Sequence, residues 1–409
     1  MKKSVILIFL STILLGISVS KLDAQTRQFY FLGHYNSNPS FNTINQGNFN
    51  FLGTFPGLKV LNSSNLTNPY YVNSASLPFA ALGMHYENNF LYVGGGMMPF
   101  FAVVDLTVPG VLNVVGVSND ITGTNYQIVK SGNYCFLTST TDTLYVFDVS
   151  VPFNPVVVHR SKTGSFPAGL ALKGSTLYIG SSDGLSVYDV SNPVSPVLVN
   201  TVSGSYSQLK LSQSGNQMYA NHSSGASLFD VSNASNPSML GNFLSTFSGP
   251  VINPLGISSD RLFRVVGQVE AFDITTLNSG PVASYVIPAQ INGVDVQDSI
   301  IFVSSLDGLT ILKYGFVDPL SISESINDEI LQVYPNPVKD DFSVTVSSMP
   351  GWNLFVIYNS AGKVVHSEVC DTIENERVFS LKNIANGNYF FRLSSLKNNK
   401  SYSGKFTKL

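Results

Sequence analysis

An all-β fold in two parts, a ring of repeated four-stranded units followed by a smaller β-sandwich, is predicted by three features of the 409-residue sequence. Apolar residues alternate with a period of two rather than 3.6. Aspartates ending such stretches recur at Asp105, Asp148, Asp189, Asp230 and Asp273, in steps of 43, 41, 41 and 43 residues. Charged residues make up only 11% of the chain, and Ser, Thr, Asn, Gly and aromatic residues take their place, a composition of strands and turns.

Met1-Lys2-Lys3 precedes an apolar run from Val5 to Val19 and a polar stretch through Ala24 and Gln25, which reads as a secretory signal peptide over residues 1–24. That run is shorter than the ~20 residues a spanning helix needs. Later apolar runs are broken by Gly, Pro, Asn or Asp, so no transmembrane segment is expected in the mature chain. No cysteine lies near the cleavage point to carry a lipid anchor.

Stepping 43 residues back from Asp105 reaches Asn62, and 40 on from Asp273 reaches Lys313, so seven units are expected within residues 25–316. The type unit strings together Tyr126–Lys130, Asn133–Leu137, Thr143–Val149 and Val156–Arg160 as four short strands. Phe41–Leu52 aligns on Tyr126–Leu137 without gaps. Asp183-Gly184 and Asp307-Gly308 mark tight hairpins between second and third strands. Units of this length with four strands have the period of a β-propeller. The seventh unit stops after its third strand, and Gln28–Tyr35 reads as its displaced fourth. The expectation is therefore a seven-bladed β-propeller closed by the N-terminal strand pairing with Leu309–Tyr314, which leaves no open end to the ring. Asp189-Val-Ser-Asn-Pro193-Val-Ser-Pro196 and Asp148-Val-Ser-Val-Pro152-Phe-Asn-Pro155 resemble the LVIVD-type repeat, most closely in the middle units. The resemblance implies an extracellular or surface propeller and says little about its ligand.

Composition changes beyond the ring. Residues 25–316 are about 8% charged and residues 330–409 about 19%, separated by an acidic linker over residues 317–329 with four acids and no base. Strand patterns at Leu331–Tyr334, Phe342–Val346, Asn353–Tyr358, Lys363–Val369, Arg377–Leu381, Asn388–Leu393 and Ser403–Thr407 suggest a small Ig-like β-sandwich. Tyr334-Pro335-Asn336-Pro337, Tyr358-Asn-Ser-Ala-Gly362, Gly387-Asn388-Tyr389 and Lys405-Phe-Thr-Lys408 resemble the type A C-terminal sorting domain of type IX secretion. That resemblance implies type IX secretion machinery as a partner and export, via the periplasm, to the outer surface or the medium of a Bacteroidetes-type cell.

Motifs for chemistry are missing. The formal net charge of −3 offers no basic patch for nucleic acid. His34, His85, His159, His222 and His366 lack metal-ligand spacing, no nucleotide or hydrolase motif is found, and neither metal nor cofactor is expected. Gly94-Gly95-Gly96 reads as a turn, and Cys135 and Cys370 as unpaired thiols. The five recurrent aspartates read as turn formers, each accepting hydrogen bonds from the backbone that follows. Glu87 and Glu270, the only glutamates of the ring, have no evident partner. Arg261 and Arg264 suit either a site or surface solvation. Met97–Phe101 breaks the unit pattern and is expected to expose an apolar patch.

A ligand site is expected at the channel mouth, where each innermost strand begins. Phe79, Asn125, Tyr126, Phe166, Tyr206, Gln208, Asn253 and Asn292 fall there. Aromatics beside amides suit sugar faces and bidentate hydrogen bonds, or alternatively plug the core. The reading is a non-catalytic binder of an extracellular glycan or protein. The alternatives are a polysaccharide hydrolase or lyase and a structural surface-layer protein.

Overall fold

The computed structural model describes residues 27–96, 98–245, 247, 254–316, 328–330, 333–349, 353–360, 364–395 and 401–409. The signal-peptide reading and most of the acidic linker lie outside the described residues. Among the described residues every regular element is a strand.

Residues 27–316 form seven antiparallel sheets of four strands. Six use consecutive strands; the first runs Ser40–Gln46, Phe49–Thr54, Gly57–Asn62 and Tyr70–Ala75, from inner to outer. The seventh takes Ile291–Gln297, Ile300–Ser305 and Gly308–Phe316, and Arg27–Asn36 supplies its outer strand. Phe29 lies opposite Tyr314 and Tyr35 opposite Leu309, the pairing expected from the sequence. Arg27 also reaches the sixth sheet in an ion pair with Asp260.

Successive residues of a strand meet different neighbouring sheets, and both faces are apolar. Along Thr143–Asp148 of the third sheet, Tyr145 and Phe147 pack with Tyr92, Phe101 and Val103 of the second, whereas Leu144 and Val146 pack with Leu170, Leu177 and Ile179 of the fourth. Each fully buried side chain of this size contributes about 1.5–3 kcal/mol relative to exposure. The same sharing continues round the molecule and returns to its start, since Phe302, Leu309 and Ile311 of the seventh sheet pack with Leu52 and Leu61 of the first. The inner strands likewise touch in sequence, and the last touches the first. A sheet buried on both faces has little room for charge, which accounts for the composition.

Six outer strands share one irregularity. A bulge skips Val72, Val115, Val158, Val199, Leu240 and Leu32 at the same position of the pairing. Bulges twist an edge away from further strand pairing, a useful property for strands that face solvent.

The recurrent aspartates sit at one end of the ring. Oδ1 of Asp105, Asp148, Asp189, Asp230 and Asp273 accepts the backbone N–H two residues on, at 2.7–2.9 Å. Asn62 does the same with Ser64, at 2.9 Å. After Asp105, Asp148, Asp189 and Asp230 the next residue donates its N–H to the hairpin between first and second strands, as Val149 does to the Asn133 carbonyl at 2.8 Å.

The remaining chain forms a five-stranded and a three-stranded sheet around one core containing Phe342, Phe355, Phe379, Phe391 and Phe406. Its first strand, Asp328–Ile330, pairs in parallel with Ser401–Lys408, so it begins two residues inside the segment read as linker.

Three readings of individual residues are corrected. Phe100 and Phe101 are fully buried rather than displayed, because Phe100 folds back over Gly95, where a Cβ would come within 2.2 Å of its ring. Glu87 and Glu270 both have partners. Lys130 Nζ lies 2.5 Å from Glu87 Oε2, and Arg264 Nη1 lies 3.7 Å from Glu270 Oε2. Arg264 is not a surface group at all, being fully buried.

Candidate ligand-binding face

The end of the ring opposite the aspartate turns is built from the crossovers that lead from each outer strand to the next inner strand. Each crossover is tied to a hairpin between second and third strands: Gly57 N–H donates to the Phe79 carbonyl at 3.1 Å, Thr140 N–H to Thr124 at 3.0 Å and Ser182 N–H to Ser165 at 2.9 Å. The hairpins admit this through positive φ at Gly57 (+91°), Gly184 (+137°) and Gly308 (+121°).

The residues read as ligand contacts divide into two groups here. Gln208 and Asn292 are buried and lace neighbouring sheets together. Gln208 Oε1 accepts the Leu255 N–H at 2.7 Å, and Asn292 Nδ2 donates to the Ser40 carbonyl at 2.8 Å, joining the seventh sheet to the first. Asn42 and Gln127, which sequence reasoning passed over, do the same: Asn42 Nδ2 donates to the Leu82 carbonyl at 2.7 Å, and Gln127 Oε1 accepts the Leu170 N–H at 2.7 Å. Tyr206 is buried edge-on against Phe229, with ring centroids 5.6 Å apart, and burial pushes its phenol pKa up. Asn125 is also buried, its Nδ2 donating to the Gly123 carbonyl at 3.3 Å while Oδ1 has no protein partner.

The second group is open to solvent. Phe166 is 53% exposed, and Phe55 is 48% exposed with Phe79 edge-on to it at 4.9 Å. Tyr126 is half-buried. Asn253 lies outside the described residues.

The wall beneath holds the ring's one fully buried cation among the described residues. Arg264 Nε donates to Asn221 Oδ1 at 2.9 Å, Nη1 to Ser245 Oγ at 2.8 Å and to the Phe247 carbonyl at 2.9 Å, and Nη2 to the His222 carbonyl at 3.1 Å. These bonds fix the start of the crossover between the fifth and sixth sheets. On the inner strand of the second sheet, burial pushes the His85 imidazole down to about 4, so it is neutral at ordinary pH. No group of three or more His, Cys, Asp or Glu residues suited to a metal is found among the described residues.

In the C-terminal unit the sorting words meet on one edge. Tyr334 is 81% exposed, and Pro335, Asn336 and Pro337 are exposed beside it. Asn336 Oδ1 accepts the Thr407 N–H at 3.0 Å, and its Nδ2 donates to the Lys405 carbonyl at 3.4 Å. The Lys408 ammonium bonds the Lys339 carbonyl, Gly387 pairs with Lys408, and the Tyr389 hydroxyl donates to the Ala385 carbonyl at 2.7 Å.

Fold and edge together define a propeller-like repeat protein carrying its own export module. The chain carries three LVIVD repeats, at residues 123–163, 168–204 and 211–245, and a secretion system C-terminal sorting domain at residues 332–408. The sorting domain marks it for type IX secretion. A stretch of 77 residues is 39% identical to beta-agarase A of Zobellia galactanivorans, but it covers 19% of this chain and only 13% of that enzyme. Among solved structures, the beta-propeller domain of Myceliophteria thermophila Cps50 (Swd1) matches with a TM-score of 0.58 at 12% identity, over 70% of this chain and 99% of its own. The computationally designed Ika8 protein matches with a TM-score of 0.51 at 12% identity, over 71% of this chain and all of its own. No helix of the described residues is long and apolar enough to cross a membrane.

Proposed function

We propose that the chain is a secreted or cell-surface binding protein without catalytic activity, a seven-bladed propeller closed by its N-terminal strand and exported through an Ig-like sorting domain. A signal peptide would take it to the periplasm and the type IX machinery across the outer membrane. The observation that carries the binding reading is the contrast on the crossover face, where Phe55 and Phe166 are open to solvent while Asp142, Asp183 and Glu270 are tied to neighbouring groups. A glycosidase needs two carboxylates flanking a cleft. Here Glu270 is buried against Arg264, Glu87 bonds Lys130 at the opposite end of the ring, and Asp142 and Asp183 are each tied through one oxygen to crossover backbone. Within the face, Tyr126 and Phe166 are the expected sites of contact, with Gln208 and Asn292 acting as struts.

The test is a glycan and protein array probed with the full exported chain, with reducing ends assayed after incubation with the same polysaccharides. Saturable binding without product supports the reading. Product formation moves the protein to the hydrolase or lyase class, and silence in both assays favours a structural surface-layer role.

A further inference from the structure

Phe166 is held where a bulky residue does not settle by itself. Its φ is +52°, in the left-handed region that suits glycine. Two carboxylates hold it there. The Phe166 N–H donates to Asp142 Oδ1 at 2.9 Å, and the preceding Ser165 N–H donates to Asp183 Oδ2 at 2.6 Å. These aspartates come from the hairpins of the third and fourth sheets, and Asp142 is itself at a φ of +58°. Gly164 permits the approach, since a Cβ there would come within 2.7 Å of Ser181 Oγ. Pro167 is buried and fixes the far side of the crossover. The chain thus adopts an unfavourable conformation in order to hold an aromatic ring outward, a pattern associated with ligand contacts.

We propose that Phe166, Asp142 and Asp183 form a stacking station for one pyranose ring of an uncharged polysaccharide, an inference that rests on the binding reading above. A single aromatic face matches the C–H face of one sugar. Asp142 uses one oxygen on the crossover backbone and Asp183 bonds the N–H and hydroxyl of Ser165, and the lone pairs that remain on both carboxylates can accept sugar hydroxyls. Two exposed hydroxyls adjoin the station, Thr141 and Thr122, which meet each other at 3.0 Å and are backed by buried Ser139 and Tyr145. The core of a protein–protein interface is depleted of charged residues, whereas Phe166 is flanked by the Asp142 and Asp183 carboxylates. Uronates and sulfate esters meet two carboxylates, while the nearby cations are engaged, Lys162 with the Thr141 carbonyl at 2.9 Å and Arg160 with Asp120.

The experiment is affinity electrophoresis of the full exported chain in gels containing laminarin, xyloglucan or soluble starch, with alginate and carrageenan as anionic counterparts. At least one neutral polymer is expected to retard the protein. Phe166→Gly, which suits the backbone and is expected to raise the melting temperature, should weaken retardation at least tenfold, and Phe166→Trp should keep it. Equal retardation of wild type and Phe166→Gly, or retardation by alginate or carrageenan alone, overturns the station and leaves the binding reading intact. Binding only to an arrayed protein does the same, whereas no binding to any glycan or protein removes both.

Discussion

Gly33 in the N-terminal strand faces Leu66 in the first sheet so closely that a Cβ on it would come within 2.3 Å of the Leu66 carbonyl oxygen. Residues from the last sheet of the ring and the first are thus in direct contact. Gly116 repeats the arrangement against Pro152, at 2.3 Å. Because the obstacle is backbone, it cannot swing aside. Gly33→Val is expected to destabilise the ring by about 1–3 kcal/mol, the usual cost of overpacking, measured by denaturant unfolding. A variant as stable as wild type would mean that this contact does not form.

Acid should loosen the aspartate turns. The Asp189 and Asp230 carboxyls are held below the usual carboxylate range by the N–H and hydroxyl of Ser191 and Ser232, and Asp273 by the hydroxyl and N–H of Thr275. Since the folded values are depressed, this stabilisation is complete above the unfolded pKa of about 4 and is lost as pH falls through the folded values. The melting temperature should drop below about pH 4, and less steeply in the triple variant Asp189→Asn, Asp230→Asn, Asp273→Asn. Identical pH profiles would assign the acid response to other groups.

Arg264 and Glu270 should be replaceable together but not singly. Removing one member of a buried pair strands the other, at a cost of about 3–5 kcal/mol, whereas paired apolar replacements are often neutral. Arg264→Met alone is therefore expected to unfold at markedly lower denaturant than Arg264→Met with Glu270→Met. If the two unfold alike, the fourfold bonding of the guanidinium to Asn221, Ser245, Phe247 and His222 outweighs the pairing.

The sorting edge separates stability from export. Phe355 is fully buried, stacked on Phe379 with centroids 3.7 Å apart, and Phe355→Ala should cost the C-terminal unit about 3–5 kcal/mol. Tyr334→Ala removes an exposed ring and should leave the unit's unfolding unchanged while the protein accumulates inside the cell, followed by fractionation and immunoblot. Normal export of Tyr334→Ala would exclude that ring from recognition.

The strands and the pairing of Phe29 with Tyr314 were legible because burial on both sheet faces produces short continuous apolar runs bounded by turn residues, and the recurring aspartate sets the register. The face was less legible. An amide such as Gln208 or Asn292 has the same appearance in sequence whether it meets a ligand or a neighbouring sheet's backbone. Arg264 and Glu270 could have been matched, since the single-residue turn at Gly267 puts them opposite each other in the hairpin. Asp142 and Asp183 could not, because their contacts with Phe166 and Ser165 cross from one connection to another.

Backbone amide hydrogen exchange across Phe29–Tyr35 tests the closed ring most directly. If this segment is the outer strand of the last sheet, its paired amides exchange on the slow timescale of Leu309–Tyr314 and lose protection with them in denaturant. Exchange of Phe29–Tyr35 at the rate of a free peptide, while Leu309–Tyr314 stays protected, would contradict the account.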